Sequence, residues 1–169
     1  EVQREVEEIT WDEDAAEKAG YPTFMLKEIH EQSDAVAETI ADRLTLDGRV
    51  DLGDIGIDDD TLAKVRRIVI LACGTSWHAA LVGKFMIESL ARVPVEVDYG
   101  SEYRYRDPIL DDSTLVIGVT QSGETADTIA GMQEAKAKGA KLVTICNVLG
   151  AAATRMSEGT IYTNAGPEI

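Results

Sequence analysis

Two hydrophobic periods divide the chain. Met25, Ile29, Val36, Ile40 and Leu44 recur at the spacing that lines one face of a helix. Pro22 suits the first turn of such a helix, which would run for about five turns. Beyond the Gly- and Asp-rich connection LDGRVDLGDIGIDDD the period changes, and apolar residues bunch into short runs at 67–73, 95–99, 114–120, 142–147 and 160–163. Helical stretches lie between them at 76–91, 124–138 and 151–156. Strands buried on both faces read as nearly continuous apolar runs, and strands alternating with helices wind by right-handed crossovers into a parallel sheet. The pattern therefore predicts a doubly wound α/β domain with a five-stranded parallel sheet and an N-terminal helical arm. Phe24 and Met25 are read as core positions of that arm. The charged, weakly periodic opening EVQREVEEITWDEDAAEKAGYP, punctuated by Gly20 and Pro22, reads as a linker over 1–21, with the domain over 22–169.

In open parallel sheets ligands bind beyond the carboxyl ends of the strands, where the strand order reverses. The first strand ends in ACGTSWHA and the third in TQSGETADT. Gly74 and Gly123 would let a ligand approach the backbone, while Thr75, Ser76, Thr120, Ser122 and Thr125 bring hydroxyls to helix starts, with Ser122 as the expected N-cap. A helix N-terminus offers free N–H groups and partial positive charge, so two of them converging among hydroxyls suit an anion, best a phosphate. Neither segment has the G-x-G-x-x-G spacing of a dinucleotide fold, and no G-x-x-x-x-G-K-[ST] is present. The competing reading is plain: Ser and Thr are ordinary N-caps, and a structural module whose helix ends are merely capped stays open.

Charge narrows the partners. The formal net charge is −15, from 31 Asp and Glu against 16 Lys and Arg, which opposes nonspecific binding to nucleic acid or to an anionic membrane surface. Adaptation to high salt is one explanation, since screening relieves self-repulsion of this size. The longest apolar stretches fall far below the roughly 18 residues of a membrane span. Cys73 and Cys146 each end a strand-like run and read as small reduced hydrophobes, which fits a cytoplasmic setting. The chain starts on Glu and stops in mid-pattern at TNAGPEI, and is expected to be a piece of something longer.

The segments CGTSWHA, SEYRYRD, TQSGETADT, ICNV and TNAGPEI, in this order, resemble the first sugar-isomerase (SIS) subdomain of the glutamine–fructose-6-phosphate aminotransferases. The stretch ITWDEDAAEKAGYPTFMLKEIHEQ is similar to the segment joining the glutaminase and isomerase halves of that family. The resemblance implies a flavodoxin-like strand order and a sugar phosphate (fructose 6-phosphate or glucosamine 6-phosphate) held by Gly74, Thr75, Ser76, Thr120, Gln121, Ser122, Gly123 and Thr125. Ser122 and Thr125 would take the phosphate, with Gln121 and Thr75 nearer the sugar hydroxyls. Thr120 departs from the family's usual Ser, and its extra methyl raises the question of crowding against the sugar. The family's chemistry adds glutamine-derived ammonia at C2 through an imine and moves a proton between C1 and C2, with no metal or organic cofactor. Its base, imine-forming lysine and ring-opening histidine belong to the second SIS subdomain and the C-terminal tail, so this chain would bind without turning over. The resemblance also implies a homodimer, and glutaminase and second SIS domains as the missing partners. A non-catalytic SIS sensor of sugar phosphates is the alternative.

Other residues take plainer readings. His30 and His78 have no ligand cluster beside them. Glu124 and Asp127 suit the first turn of a helix, where carboxylates favour the dipole, and would repel a bound phosphate. Arg104 and Arg106 could brace the site or pair with carboxylates across a subunit contact. Lys84, Lys136, Lys138 and Lys141 fall along or at the far ends of helices, out of reach of the sugar.

Overall fold

The apolar runs fold as the alternation requires. The structure, a computed structural model, describes residues 18–41 and 43–166; most of the expected linker lies outside them. The chain forms α1 (Phe24–Ala41), a 3₁₀ turn (Gly53–Ile55), α2 (Asp59–Leu62), β1 (Arg67–Ala72), α3 (Gly74–Leu90), β2 (Val95–Tyr99), α4 (Gly100–Tyr105), β3 (Thr114–Val119), α5 (Ala126–Ala137), β4 (Lys141–Cys146), α6 (Ala152–Met156) and β5 (Gly159–Tyr162). All pairings are parallel in the order β2-β1-β3-β4-β5, the flavodoxin-like arrangement the resemblance implied.

Alternation along the strands splits the core in two. On one face Val69, Leu71, Val116 and Leu142 pack with Tyr103 of α4, Met132 and Ala135 of α5 and Ala153 of α6. On the other, Ile68, Ile70, Ala72, Val95, Leu115 and Val143 pack with Ala80 and Trp77 of α3 and with Ile55 of the 3₁₀ turn. Helices on both faces are what a fully buried parallel sheet needs, because neither face can be left to water.

Three details correct the sequence reading. Pro22 precedes α1 rather than entering it; Thr23 Oγ1 instead accepts the Leu26 N–H at 3.2 Å. Leu44 lies beyond the helix in a bridge with Val50. Met25 is not a core residue, being 74% exposed, and Ile29, Val36 and Ile40 of the same stripe are exposed too. Helical spacing announces an apolar face without saying what covers it.

The sequence pattern gives no sign of α4. Its sequence, GSEYRY, has neither period, yet its Tyr103 is the largest fully buried side chain among the described residues. The Tyr103 hydroxyl has no hydrogen-bond partner among the described residues, and burial pushes its pKa up to about 12. A buried unpaired hydroxyl costs about 1–3 kcal/mol, so Tyr103→Phe is expected to raise the unfolding free energy in urea by about 1 kcal/mol. A raised folded pKa also means that this tyrosine's contribution is whole below the ordinary value of 10.0 and is lost as pH rises toward about 12. The share of alkaline destabilisation due to Tyr103 should vanish in the phenylalanine variant.

Candidate functional site

The register sets the site. Ala72 of β1 lies beside Val119 of β3, so the two strands end level. β2 lies beyond β1 and β4 beyond β3, which makes the gap between β1 and β3 the point where the strand order reverses. α3 leaves from β1 over one face and α5 from β3 over the other. The two exits touch: Thr128 Oγ1, in the first turn of α5, donates to Cys73 Sγ at 3.6 Å.

Beyond β3 the loop is held by its own hydroxyls. Thr120 is buried; its Oγ1 accepts the Gly123 N–H at 3.2 Å and lies 3.2 Å from Thr125 Oγ1. Its methyl is buried with it, which bears on the crowding raised by Thr in place of Ser. Ser122 is not the N-cap. Its Oγ accepts the Glu124 N–H at 3.2 Å, and Thr125 occupies the cap position. Gly123 has φ +69, and a Cβ there would come within 2.3 Å of Ala151 Cβ and 2.8 Å of Cys146 Sγ. Packing therefore demands glycine at this position. Below the loop, the Cys146 thiol approaches the Gln121 carbonyl at 3.5 Å, and burial pushes its pKa up.

On the β1 side Gly74 opens α3 with φ +57, and nothing lies within 4 Å of where its Cβ would be. That direction is open, as close approach by a ligand requires. Thr75 is exposed and Ser76 half-buried in the same turn. Neither α3, with Cys73 at its cap position, nor α5, with Thr125, has a side-chain cap. α4, with Tyr99 at its cap position, lacks one too, whereas Asp58 accepts the Thr61 N–H at 2.8 Å for α2 and the distant Glu124 Oε1 accepts the Ala152 N–H at 2.8 Å for α6. Glu124 thus serves α6 rather than its own helix. Two uncapped helix starts at one switch point concentrate unpaired N–H groups and positive dipole ends there.

Gln121 reaches a second feature that sequence reasoning did not anticipate, a cleft of about 230 Å³ shared with Glu28, Glu31 and Gln32 of α1 and with Ala165 and Gly166. Asn147 holds this corner. It donates its N–H to the Gln121 carbonyl at 3.1 Å, and its Oδ1 accepts from Ala165 N at 2.8 Å and Thr163 Oγ1 at 3.0 Å. The cue in the sequence was the ICNV segment, but no periodicity assigns an asparagine a bracing role. Another cleft, about 340 Å³, is lined by Glu38, Asp51 and Asp54, and its Arg43 is engaged bidentately by Asp54. Three carboxylates make it a poor place for a phosphate.

The remaining candidates lie apart or are engaged. Arg106 pairs with Asp98 and Glu96 of its own chain, and Arg67 with Glu96. Burial would raise the Glu96 carboxyl, but hydrogen bonds from Arg67 and Arg106 overcome it and hold the pKa below the usual range. Arg104 lies over the Tyr105 ring at 4.9 Å. Lys136 donates to the Met156 carbonyl, Lys138 pairs with Asp107 and Glu134, and Lys84 with Glu88. His30 stacks on Tyr21 and His78 meets the edge of Trp77. Both cysteines are free thiols. Among the described residues no group of His, Cys, Asp and Glu is arranged for a metal, and no helix is long and apolar enough to cross a membrane.

Fold and site together define a doubly wound α/β domain of flavodoxin-like order whose switch point lies between two helix starts without side-chain caps. The SIS domain model matches residues 61–169, and the chain belongs to the SIS domain family. Over all of its 169 residues it is 51% identical to 28% of the glutamine–fructose-6-phosphate aminotransferase [isomerizing] of Clostridium tetani. It is 48% identical, over 99% of its length, to 27% of the enzyme of that name from Methanosarcina mazei. The chain thus spans little more than a quarter of these curated relatives. Among solved structures, the C-terminal domain of glucosamine-fructose-6-phosphate aminotransferase from Francisella tularensis matches with a TM-score of 0.81 and 40% identity, covering 90% of this chain and 42% of that one.

Proposed function

We propose that the chain is the first phosphosugar-binding half of the isomerase unit of an isomerising glutamine–fructose-6-phosphate aminotransferase, the domain occupying 22–169 after a linker at 1–21. The observation that carries this reading is the pair of uncapped helix starts at the switch point. Against the competing view, that the hydroxyls merely cap helices, stands the lack of a side-chain cap at either start. Identity across the whole chain with relatives of that name supplies the substrate class.

The phosphate of fructose 6-phosphate or glucosamine 6-phosphate is received by N–H groups in the first turns of α3 and α5 and by the Ser122 and Thr125 hydroxyls. Thr120 orients one of them. Its oxygen accepts from Gly123 N–H and shares a hydrogen bond with Thr125 Oγ1; with Thr120 as the donor of that bond, the Thr125 proton is free to turn to the ligand. Gln121 and Thr75 meet the sugar hydroxyls, Gly74 admits the ligand to backbone distance, and Ser76 completes the ring of donors. No general base is among these groups, and the lysines of α3 and α5 are paired elsewhere, so binding proceeds here without imine formation or proton transfer. The working enzyme is read as a cytoplasmic homodimer in which glutaminase and second SIS domains supply the chemistry, with no part for nucleic acid.

Titration calorimetry with glucosamine 6-phosphate is expected to show binding, while incubation with fructose 6-phosphate, with and without ammonia, yields neither glucose 6-phosphate nor glucosamine 6-phosphate. Turnover above a Thr75, Ser122 double-alanine control would place a base within this chain and overturn the division of labour. The −15 charge carries a separate expectation: if the surface is adapted to salt, the melting temperature rises from low to molar KCl as carboxylate repulsion is screened. A melting temperature indifferent to KCl would end that reading and leave the fold untouched.

A further inference from the structure

One dipeptide touches both helix starts of the site. Tyr99 ends β2 and holds the cap position of α4. Its ring stacks on that of Trp77, one residue beyond Ser76 in the first turn of α3, with centroids 4.8 Å apart and planes within 5°. The next residue, Gly100, presses its backbone onto the first turn of α5: a Cβ there would lie 2.4 Å from the Asp127 carbonyl oxygen and 2.7 Å from Thr128 N. The Tyr99 side chain therefore bears on α3 while the adjoining main chain bears on α5.

Burial alone does not explain the pair. Tyr99 remains 40% exposed, and the Trp77 Nε1 is shielded from solvent with no hydrogen-bond partner among the described residues. An unpaired indole N–H is a cost that a phenylalanine would avoid, whereas the indole offers the larger flat face for stacking. Such a stack resists tilting of α3 against the sheet edge.

We propose that Tyr99 and Trp77 are positioning residues of the phosphosugar pocket, their stack and the Gly100 contact together setting the separation of the α3 and α5 N-termini. This rests on the phosphosugar reading above. Neither ring needs to touch the ligand. Hydrogen bonds weaken steeply outside about 2.7–3.2 Å, so an anion held by both helix starts is sensitive to small changes in their spacing.

The test is titration of glucosamine 6-phosphate into the chain and its Tyr99→Phe, Tyr99→Ala and Tyr99→Leu variants, with urea melts alongside. Tyr99→Phe keeps the stack and should stay within about twofold of the parent affinity, while Tyr99→Ala and Tyr99→Leu bind about tenfold more weakly. Tyr99→Leu keeps apolar bulk and decides the matter if Tyr99→Ala fails to fold. A merely structural role would lower stability in the leucine variant and leave its affinity at the parent value, and that result overturns the proposal. Absence of binding by the parent chain is a different outcome, which overturns the phosphosugar reading itself and this proposal with it.

Discussion

Gly123→Ala is expected to lower the unfolding free energy by about 3 kcal/mol or more, against about 1 kcal/mol for Gly74→Ala. Both glycines have left-handed backbone, φ +69 and φ +57, and lie at the two ends of the site. An L side chain in that region costs roughly 1–2 kcal/mol, so strain alone would make the two variants equal. They differ in what the new methyl meets. At Gly74 it enters open space, whereas at Gly123 it meets Ala151 Cβ at 2.3 Å and Cys146 Sγ at 2.8 Å. Ala151 is buried at the start of α6 and Cys146 ends β4, so neither moves without shifting backbone, and overpacking adds about 1–3 kcal/mol. Urea denaturation of both variants measures the difference. Equal losses would mean that the loop yields at Gly123 and that its packing against α6 is loose. Phosphosugar affinity should fall with Gly123→Ala as well, because the same shift moves Ser122 and the Thr120 hydroxyl that accepts the Gly123 N–H.

Ser122→Ala and Thr125→Ala are each expected to weaken glucosamine 6-phosphate binding by about 1–3 kcal/mol, the range for losing a hydrogen bond to a charged group. Their effects on folding should be much smaller. Ser122 makes one local bond, to Glu124 N at 3.2 Å, and Thr125 closes no helix end with its side chain. The contrast between strong loss of affinity and near-parent stability is what separates a ligand-facing hydroxyl from a capping one. Titration calorimetry beside urea melts reads both quantities on the same samples. Unchanged affinity in both variants would remove the phosphate assignment, and a large stability loss in both would return these hydroxyls to a structural role.

The strands were legible in the sequence to within a residue at each end, since a parallel strand covered on both faces has to be apolar along its whole length. Beyond their first residues, Arg67 and Thr114, β1 and β3 meet that condition, and helical stretches between such runs leave few alternatives to a doubly wound sheet. The two loops of the candidate site were legible for a related reason: Gly, Ser and Thr bunched at the end of an apolar run mark a helix start that departs from ordinary strand and helix composition. What lies across the fold was not legible. No local pattern marks GSEYRY as a helix whose Tyr103 fills the core, because its burial is decided by strands and a helix distant in sequence. The exposure of Met25 and Ile29 likewise depends on what else reaches α1, and helical spacing is the same whether a face is covered or bare. Glu124 had a good local claim to the dipole of its own helix, yet a residue 28 positions away offered it an N–H. Gly123 reads in the sequence as a place for a ligand to approach the backbone, while tertiary packing against Ala151 and Cys146 gives glycine there a reason of its own. Periodicity and composition determine which residues form strands and helices, since those preferences act within a few positions. Which side chains meet, which helix ends stay uncapped and how far apart they stand are decided only when the sheet brings distant segments level, as it does for Ala72 and Val119.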